Sequence, residues 1–353
     1  MRISEDILRK RIKKFQDKFR EQGLDGVMLR TLSSYSYFTG IKWLRPGLFI
    51  PSEGEPIAFI SHGEEQGFAE RTWIKNVITY KDGGDLIGKV TRTLREFKIK
   101  NIGMKAKRVF MDVESLLGVC DIKDGQLYYE GKPLRINDVK KLVEETSREF
   151  GFDIASEPPI FSMGREAAQF HNRGSPDVIL QPGESIIFDF FPRDEREKYW
   201  WDQTRTYVVG YVPARITTAY DDVLRIQEEI IKSLKPGMLW READILAHKL
   251  MKRAGYATLE SPANQKGFRE GYGHAIGHGV GLNIHEAPWL RYTWKGDDVL
   301  NEGMVFSIEP GVYFPNAKKP YGIRIEDLVV MTERGAEILV EHPKTLEDAV
   351  IQI

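Results

Sequence analysis

Four carboxylates stand inside runs of apolar, β-prone residues, and that placement constrains what this chain can fold into more than any other feature. ESIIFDFF (184–191) is interrupted by Asp189, and KYWWDQTRTYVV (198–209) contains Asp202. MVFSIEPGVY (304–313) carries Glu309 just before Pro310-Gly311, and GIRIEDLVVM (322–331) carries Glu326. A carboxylate in such a strand must be paired, hydrogen-bonded or bound to metal, because an isolated charge in an apolar layer is too costly to keep. Strand alternation assigns the faces. Asp202 and Thr204 share one, with Gln203 and Arg205 opposite; Arg324 and Glu326 share another, with Ile323 and Ile325 opposite. Any one of these acids alone reads as the cross-strand partner of a Lys or Arg. Four of them in one domain point to a shared site.

The segment GYGHAIGHGVGLNIHEAP (271–288) holds three of the seven histidines. His274 and His278 are spaced to share a helix face, but Gly271, Gly273, Gly277, Gly279 and Gly281 argue against a helix. A loop entering a strand is expected, with Val280, Leu282 and Ile284 packed inward and His285 opposite. A single histidine here reads as a hydrogen-bonded core residue. Three among glycines, which let backbones approach closely, mark a site. One histidine with four carboxylates forms a hard, oxygen-rich donor set, suited to Mn²⁺, Co²⁺ or Fe²⁺ rather than to a structural zinc site. Bridging carboxylates hold two ions roughly 3.5 Å apart, and such a pair activates water and polarises a carbonyl, the requirements of amide hydrolysis.

The rest of the chain supplies the frame. The first third alternates helix and strand: a helix at 5–22 with Ile7, Leu8, Ile12, Phe15 and Phe19 inward, strands at 26–30, 77–80 and 101–105, a hairpin of LFIP with 56–60, and a helix at 85–97. This suggests a compact α/β domain. After the turn-rich stretch 121–133 the order changes to a helix at 136–149, long strands, helices at 218–234 and 241–254, then strands to the end, an α+β pattern. Length supports two domains, placed at 1–122 and 123–353. With 51 Lys and Arg against 52 Asp and Glu, nothing in the charge calls for nucleic acid or an anionic membrane as partner. The one cysteine, Cys120, excludes an intrachain disulfide and is expected to be a buried, inert thiol. The N-terminus is charged and amphipathic, unlike a signal peptide, and no run of about 18 apolar residues suggests a membrane span, so a cytoplasmic location is expected.

With these residues in hand, the chain resembles the pita-bread metallopeptidases of the aminopeptidase P and prolidase (creatinase-like) group. FDF, DQTRT, HAIGHGVGLNIHE, SIEPGVY and GIRIEDLVV occur in the family's order, and GLDGVMLRTLSSYSYFTG (23–40) is similar to the creatinase-type N-terminal domain. The resemblance implies an α+β pita-bread catalytic domain behind a smaller α/β domain. It implies that Asp189, Asp202, His278, Glu309 and Glu326 ligate two divalent ions, Mn²⁺ or Co²⁺ foremost, with Fe²⁺ or Zn²⁺ as alternatives. Glu309 would also act as general base, and His274 and His285 would stabilise the tetrahedral intermediate. His171, in AAQFHN, would lie at the substrate. Arg324 and Thr204 would orient ligands, Arg324 also facing the substrate. The implied substrates are small Xaa-Pro peptides and the implied assembly is a homodimer. The insertion PRDEREKYW is expected to lengthen the hairpin between the two aspartates, with Trp200 and Trp201 narrowing the pocket. A non-peptide small amide is the rival substrate class, and a binding protein that has lost catalysis is the rival from outside enzymology.

Overall fold

The computed structural model describes residues 3–43, 47–264 and 266–353. Contacts divide the chain into two compact units, Met1–Asn101 and Ile102–Ile353, and the division falls inside the helix Gly83–Gly118. That helix corrects the sequence reading at one place: residues 101–105, expected as a strand, are helical. The apolar run there is one stretch of a longer stripe. Ile99, Ile102, Ala106, Val109, Phe110, Val113 and Leu117 recur every three or four residues and are all buried, so the 3.6-residue period continues through it. Gly103 is tolerated mid-helix because the Trp201 ring occupies its notch; a Cβ there would come within 2.4 Å of that ring.

In the first unit the strands Gly26–Leu29, Leu48–Pro51, Ile57–Ser61 and Asn76–Tyr80 form one sheet in that order. The middle two pair antiparallel as the expected hairpin, Leu48 opposite Ala58, and the last joins in parallel. Helix Glu5–Glu21 buries Leu8, Ile12 and Phe19 over this core; Ile7, expected inward, is exposed because it stands one position off the buried stripe.

In the second unit, residues 121–133 form three short antiparallel strands, and helix Ile136–Glu149 follows as expected. Two larger sheets carry the interest. One orders Val350–Ile351, Gln203–Val209, Ile186–Phe190 and Ile160–Met163; the other orders Glu286–Leu290, Gly277–Gly279, Val305–Ile308, Asp327–Thr332 and Gly335–Ile338. Gly311–Phe314 and Tyr321–Arg324 form a separate pair. Helices Ala214–Ser233 and Trp240–Arg253 bury Ile216, Tyr220, Ile230, Ala243 and Ala247 against Phe306, Ile308, Ile323, Ile325 and Val329. This is the α+β arrangement expected from elements that come in blocks.

A buried charge cluster fastens the first of these sheets to the turn at Glu326. Arg205 donates to Asp327 Oδ1 at 2.6 Å and to the carbonyls of Thr204, Glu326, His342 and Pro343. Asp327 also accepts from Lys344 at 2.8 Å and from Gln203 at 3.2 Å. Gln203 and Arg205 thus share the face opposite Thr204, as alternation requires. Cys120 is buried, its thiol donates to the Leu116 carbonyl, and burial pushes it up to about 11, the inert thiol that was expected. No helix among the described residues is long and apolar enough to cross a membrane.

Candidate metal centre

The structure brings the five expected ligands to one cavity of ≈ 470 Å³. Asp189 lies in Ile186–Phe190 with its backbone opposite Thr204, and Asp202 immediately precedes the partner strand Gln203–Val209. His278 stands in Gly277–Gly279, between Glu286–Leu290 and Val305–Ile308. The flanking glycines are required: a Cβ at Gly277 would meet the Ser307 carbonyl oxygen at 2.0 Å, and one at Gly279 the Ala287 carbonyl oxygen at 2.1 Å. Glu309 follows Val305–Ile308, its N–H donating to the Ile276 carbonyl. Glu326 sits at the turn between Tyr321–Arg324 and Asp327–Thr332; its N–H donates to the Thr204 carbonyl, and Thr204 Oγ1 donates to its Oε2 at 2.8 Å.

Ligand atoms of Asp202, His278 and Glu326 all lie within 4.8 Å of one another. His278 Nε2 is 3.6 Å from Asp202 Oδ2 and 3.5 Å from Glu309 Oε1. Asp189 Oδ2 accepts from Arg324 Nη2 at 2.6 Å, while its buried Oδ1 has no hydrogen-bond partner among the described residues.

The electrostatics of this cluster call for a cation. Burial first, then mutual repulsion, pushes the Asp202 and Glu326 carboxyls well above the usual range. Burial likewise lifts Glu309 to about 8, with Arg324 opposing and Asp189 adding to the rise. Arg324 is the one guanidinium bound to these acids among the described residues, and it is engaged by Asp189. Burial also lowers His278 to about 3, so the ring is neutral at pH 7. With Nδ1 donating to the Gly279 carbonyl at 3.2 Å, its Nε2 lone pair faces Asp202 and Glu309. An imidazole lone pair and four carboxylates, one of them with a buried, unpartnered oxygen, form a donor set that fits divalent metal.

The other expected residues also reach the cavity. His171, His274, His285 and Arg324 line it. His285 packs its ring 4.3 Å from that of His278. Burial lowers the pKa of both His171 and His285. Arg324 is engaged throughout: Nε donates to Thr204 Oγ1, Nη1 to the Phe170 carbonyl and the Tyr313 hydroxyl, and Nη2 to Asp189. Thr204 therefore touches both Glu326 and Arg324.

Sequence reasoning missed Tyr313. Its hydroxyl accepts from Arg324 and lies 2.9 Å from His274 Nε2, joining the two. Alternation from Glu309 through Gly311 places Tyr313 on the same face, so the signal was present in SIEPGVY. Two expectations fail. Neither Trp200 nor Trp201 is among the residues lining the cavity. Alternation turns Trp201 away from Asp202 into the Gly103 notch, while Trp200 donates its N–H to the Gly281 carbonyl. Leu282 is 55% exposed rather than packed inward, because the chain bends after Gly279 and the alternation stops there. Between the two aspartates, Arg193 bridges to Trp200, and Arg193–Asp194 pairs with Phe152–Asp153.

The family model for metallopeptidase family M24 matches residues 99–333, and the creatinase/prolidase N-terminal domain matches residues 11–126. The chain belongs to metallopeptidase family M24. It is 28% identical to a Xaa-Pro dipeptidase of Pyrococcus furiosus over 96% of this chain and 100% of that protein. It is 26% identical to an uncharacterized peptidase of Bacillus subtilis, covering 95% and 99%. An X-Pro aminopeptidase from Thermotoga maritima shares the fold at a TM-score of 0.59 and 22% identity, covering 96% of this chain and 100% of that one. Family membership makes the chain a hydrolase of the metallopeptidase class.

Proposed function

We propose that this protein hydrolyses Xaa-Pro bonds at the N-terminus of small peptides, with two divalent ions, Mn²⁺ or Co²⁺ foremost, held by Asp189, Asp202, His278, Glu309 and Glu326. The observation that carries this reading is the convergence of these five donors on one cavity, with Asp189 Oδ1 buried and unpaired and His278 neutral. Bound divalent ions supply Lewis acidity toward an amide carbonyl and acidify water near neutral pH.

The chain's own residues do the rest. Glu309, with Oε1 3.5 Å from His278 Nε2 in the cavity, takes a proton from the attacking water and returns one to the leaving nitrogen. His285 makes no side-chain hydrogen bond among the described residues, so its ring is available to donate to the developing oxyanion. His274 is engaged at both nitrogens, by the Ala275 carbonyl and the Tyr313 hydroxyl, so its part is to hold the cavity wall rather than to donate. Thr204 and Arg324 fix the orientations of Glu326 and Asp189. Ile160, Phe170, Phe191, Ile284 and Trp289 supply apolar surface for a prolyl ring. The family resemblance further supports a homodimer acting in the cytoplasm.

The test is hydrolysis of Ala-Pro and Ala-Pro-Ala by metal-stripped protein, with and without added Mn²⁺ or Co²⁺. Metal-dependent cleavage of Ala-Pro alone makes it a dipeptidase; cleavage of the tripeptide makes it an aminopeptidase. Cleavage of neither, with two metals bound per chain, overturns the substrate assignment in favour of another amide. Asp202→Ala and Glu326→Ala should each abolish turnover and metal loading, and normal turnover in either would overturn the ligand set.

A further inference from the structure

Asp244 is a buried carboxylate that the catalytic reading does not use. It stands on helix Trp240–Arg253, is 1% exposed, and is not among the residues lining the metal cavity. Its Oδ1 accepts from the Tyr272 hydroxyl at 2.6 Å and its Oδ2 from the Tyr292 N–H at 2.8 Å, and the Ile276 N–H stabilises the same group. Burial pushes the carboxyl up to about 6 and these donors oppose the rise, so it accepts as an anion at pH 7.

The donors belong to separate segments of the site. Gly277 stands opposite Leu290 and His278 opposite Trp289, and the same two strands lead to Ile276 on one side and Tyr292 on the other. Asp244 therefore ties the open end of the hairpin that carries the ligand His278, with His285 in its connection. Ile276 also serves a second ligand, because its carbonyl accepts from the Glu309 N–H at 2.9 Å. Tyr272 adds the segment leading to His274, which is anchored in turn where Gly271 and Tyr313 exchange backbone hydrogen bonds. His248, one turn further along the helix and 4% exposed, packs its ring 5.2 Å from that of Tyr272 and 4.5 Å from that of Tyr292, filling the space beside the tie.

We propose that Asp244 is a positioning residue for the metal centre, setting the placement of His278 and Glu309 through the backbone at Ile276 and Tyr292. The proposal rests on the ligand set assigned above. A carboxylate suits this task because both its oxygens accept; an amide offers one oxygen and turns its N–H groups toward the remaining donors. A small shift of the hairpin carries the His278 ring with it, and a metal site tolerates misplacement of only about 0.5 Å.

The experiment is chelator competition for Mn²⁺ by the full-length protein as wild type, Asp244→Asn and Tyr272→Phe, with circular dichroism and thermal unfolding of each metal-free protein alongside. Asp244→Asn should weaken Mn²⁺ about tenfold, the lower end of what removing a group behind a ligand costs. Tyr272→Phe takes away one donor and leaves the carboxylate; it should keep the wild-type far-UV spectrum and weaken Mn²⁺ at least about threefold, the low end of what one hydrogen bond contributes. The visible spectrum of the Co²⁺-loaded protein, which reports ligand geometry, should also change in Asp244→Asn. Wild-type affinity and an unchanged Co²⁺ spectrum in folded Asp244→Asn, even with a lowered Tm, would make the tie structural only and overturn the proposal. Should Asp244→Asn not fold, wild-type affinity in Tyr272→Phe overturns it. Asp202→Ala measured beside them separates the two readings: normal metal binding there overturns the ligand set itself, whereas lost binding there with full binding in Asp244→Asn overturns the positioning role alone.

Discussion

Asp327→Asn isolates the buried charge cluster beneath the metal centre. The substitution keeps the shape but removes the one anion facing Arg205, whose side chain is 1% exposed, and Lys344, whose side chain is 12% exposed. Removing one partner of a buried pair costs about 3–5 kcal/mol, because the remaining charge is left uncompensated in a medium that solvates it poorly. Four backbone carbonyls still accept from Arg205, so the lower part of that range is expected. For a unit of this size each kcal/mol shifts Tm by about 2–4 °C, giving a loss of about 6–12 °C at the lower end. The assay is thermal unfolding of metal-free protein followed by circular dichroism, which keeps ligand linkage out of the comparison. A Tm within about 2 °C of wild type for Asp327→Asn would refute the reasoning.

Three further outcomes follow from the same geometry. Glu309 has its folded-state pKa raised to about 8 in the metal-free protein. Between the usual glutamate range and that value the folded state keeps a proton that the unfolded state has released. Above the ordinary histidine range, where His278 is neutral in both states, metal-free stability should therefore fall as pH rises from about 7 to 8, by up to about 1.4 kcal/mol per pH unit for this group. Urea unfolding at several pH values checks this, and saturating Mn²⁺ should reverse the trend; a flat metal-free profile would count against it. Thr204→Val removes the hydroxyl bonded to Glu326 and Arg324, so metal affinity should drop about 10–100-fold with little change in fold, as measured by competition with a chelator. Gly103→Val drives a side chain into the Trp201 ring and should cost about 1–3 kcal/mol; an unchanged denaturation midpoint would show that the helix and ring part freely.

Much of the site was legible from the sequence because its signals are local. A carboxylate inside an apolar strand is anomalous whatever surrounds it, and two-residue alternation is a property of the backbone, so the faces of Asp202, Gln203, Thr204 and Arg205 followed directly. The glycines around His278 excluded a helix on backbone grounds alone, and the close approaches at Gly277 and Gly279 show why those positions carry no side chain. Local reading failed where a neighbour far along the chain decided the outcome. The run 101–105 was too short to reveal its period, and burial of the stripe through Leu117 made it helix. Trp201 lies outside the cavity because the helix notch at Gly103 receives its ring. Arg324 finds its partners 11 to 154 residues away, at Tyr313, Thr204, Asp189 and Phe170, and no spacing rule reaches that far. The sequence by itself determined which groups had to find partners. Only the tertiary structure decided which partners they found, because hydrogen bonds and charge pairs depend on distances that chain closure sets.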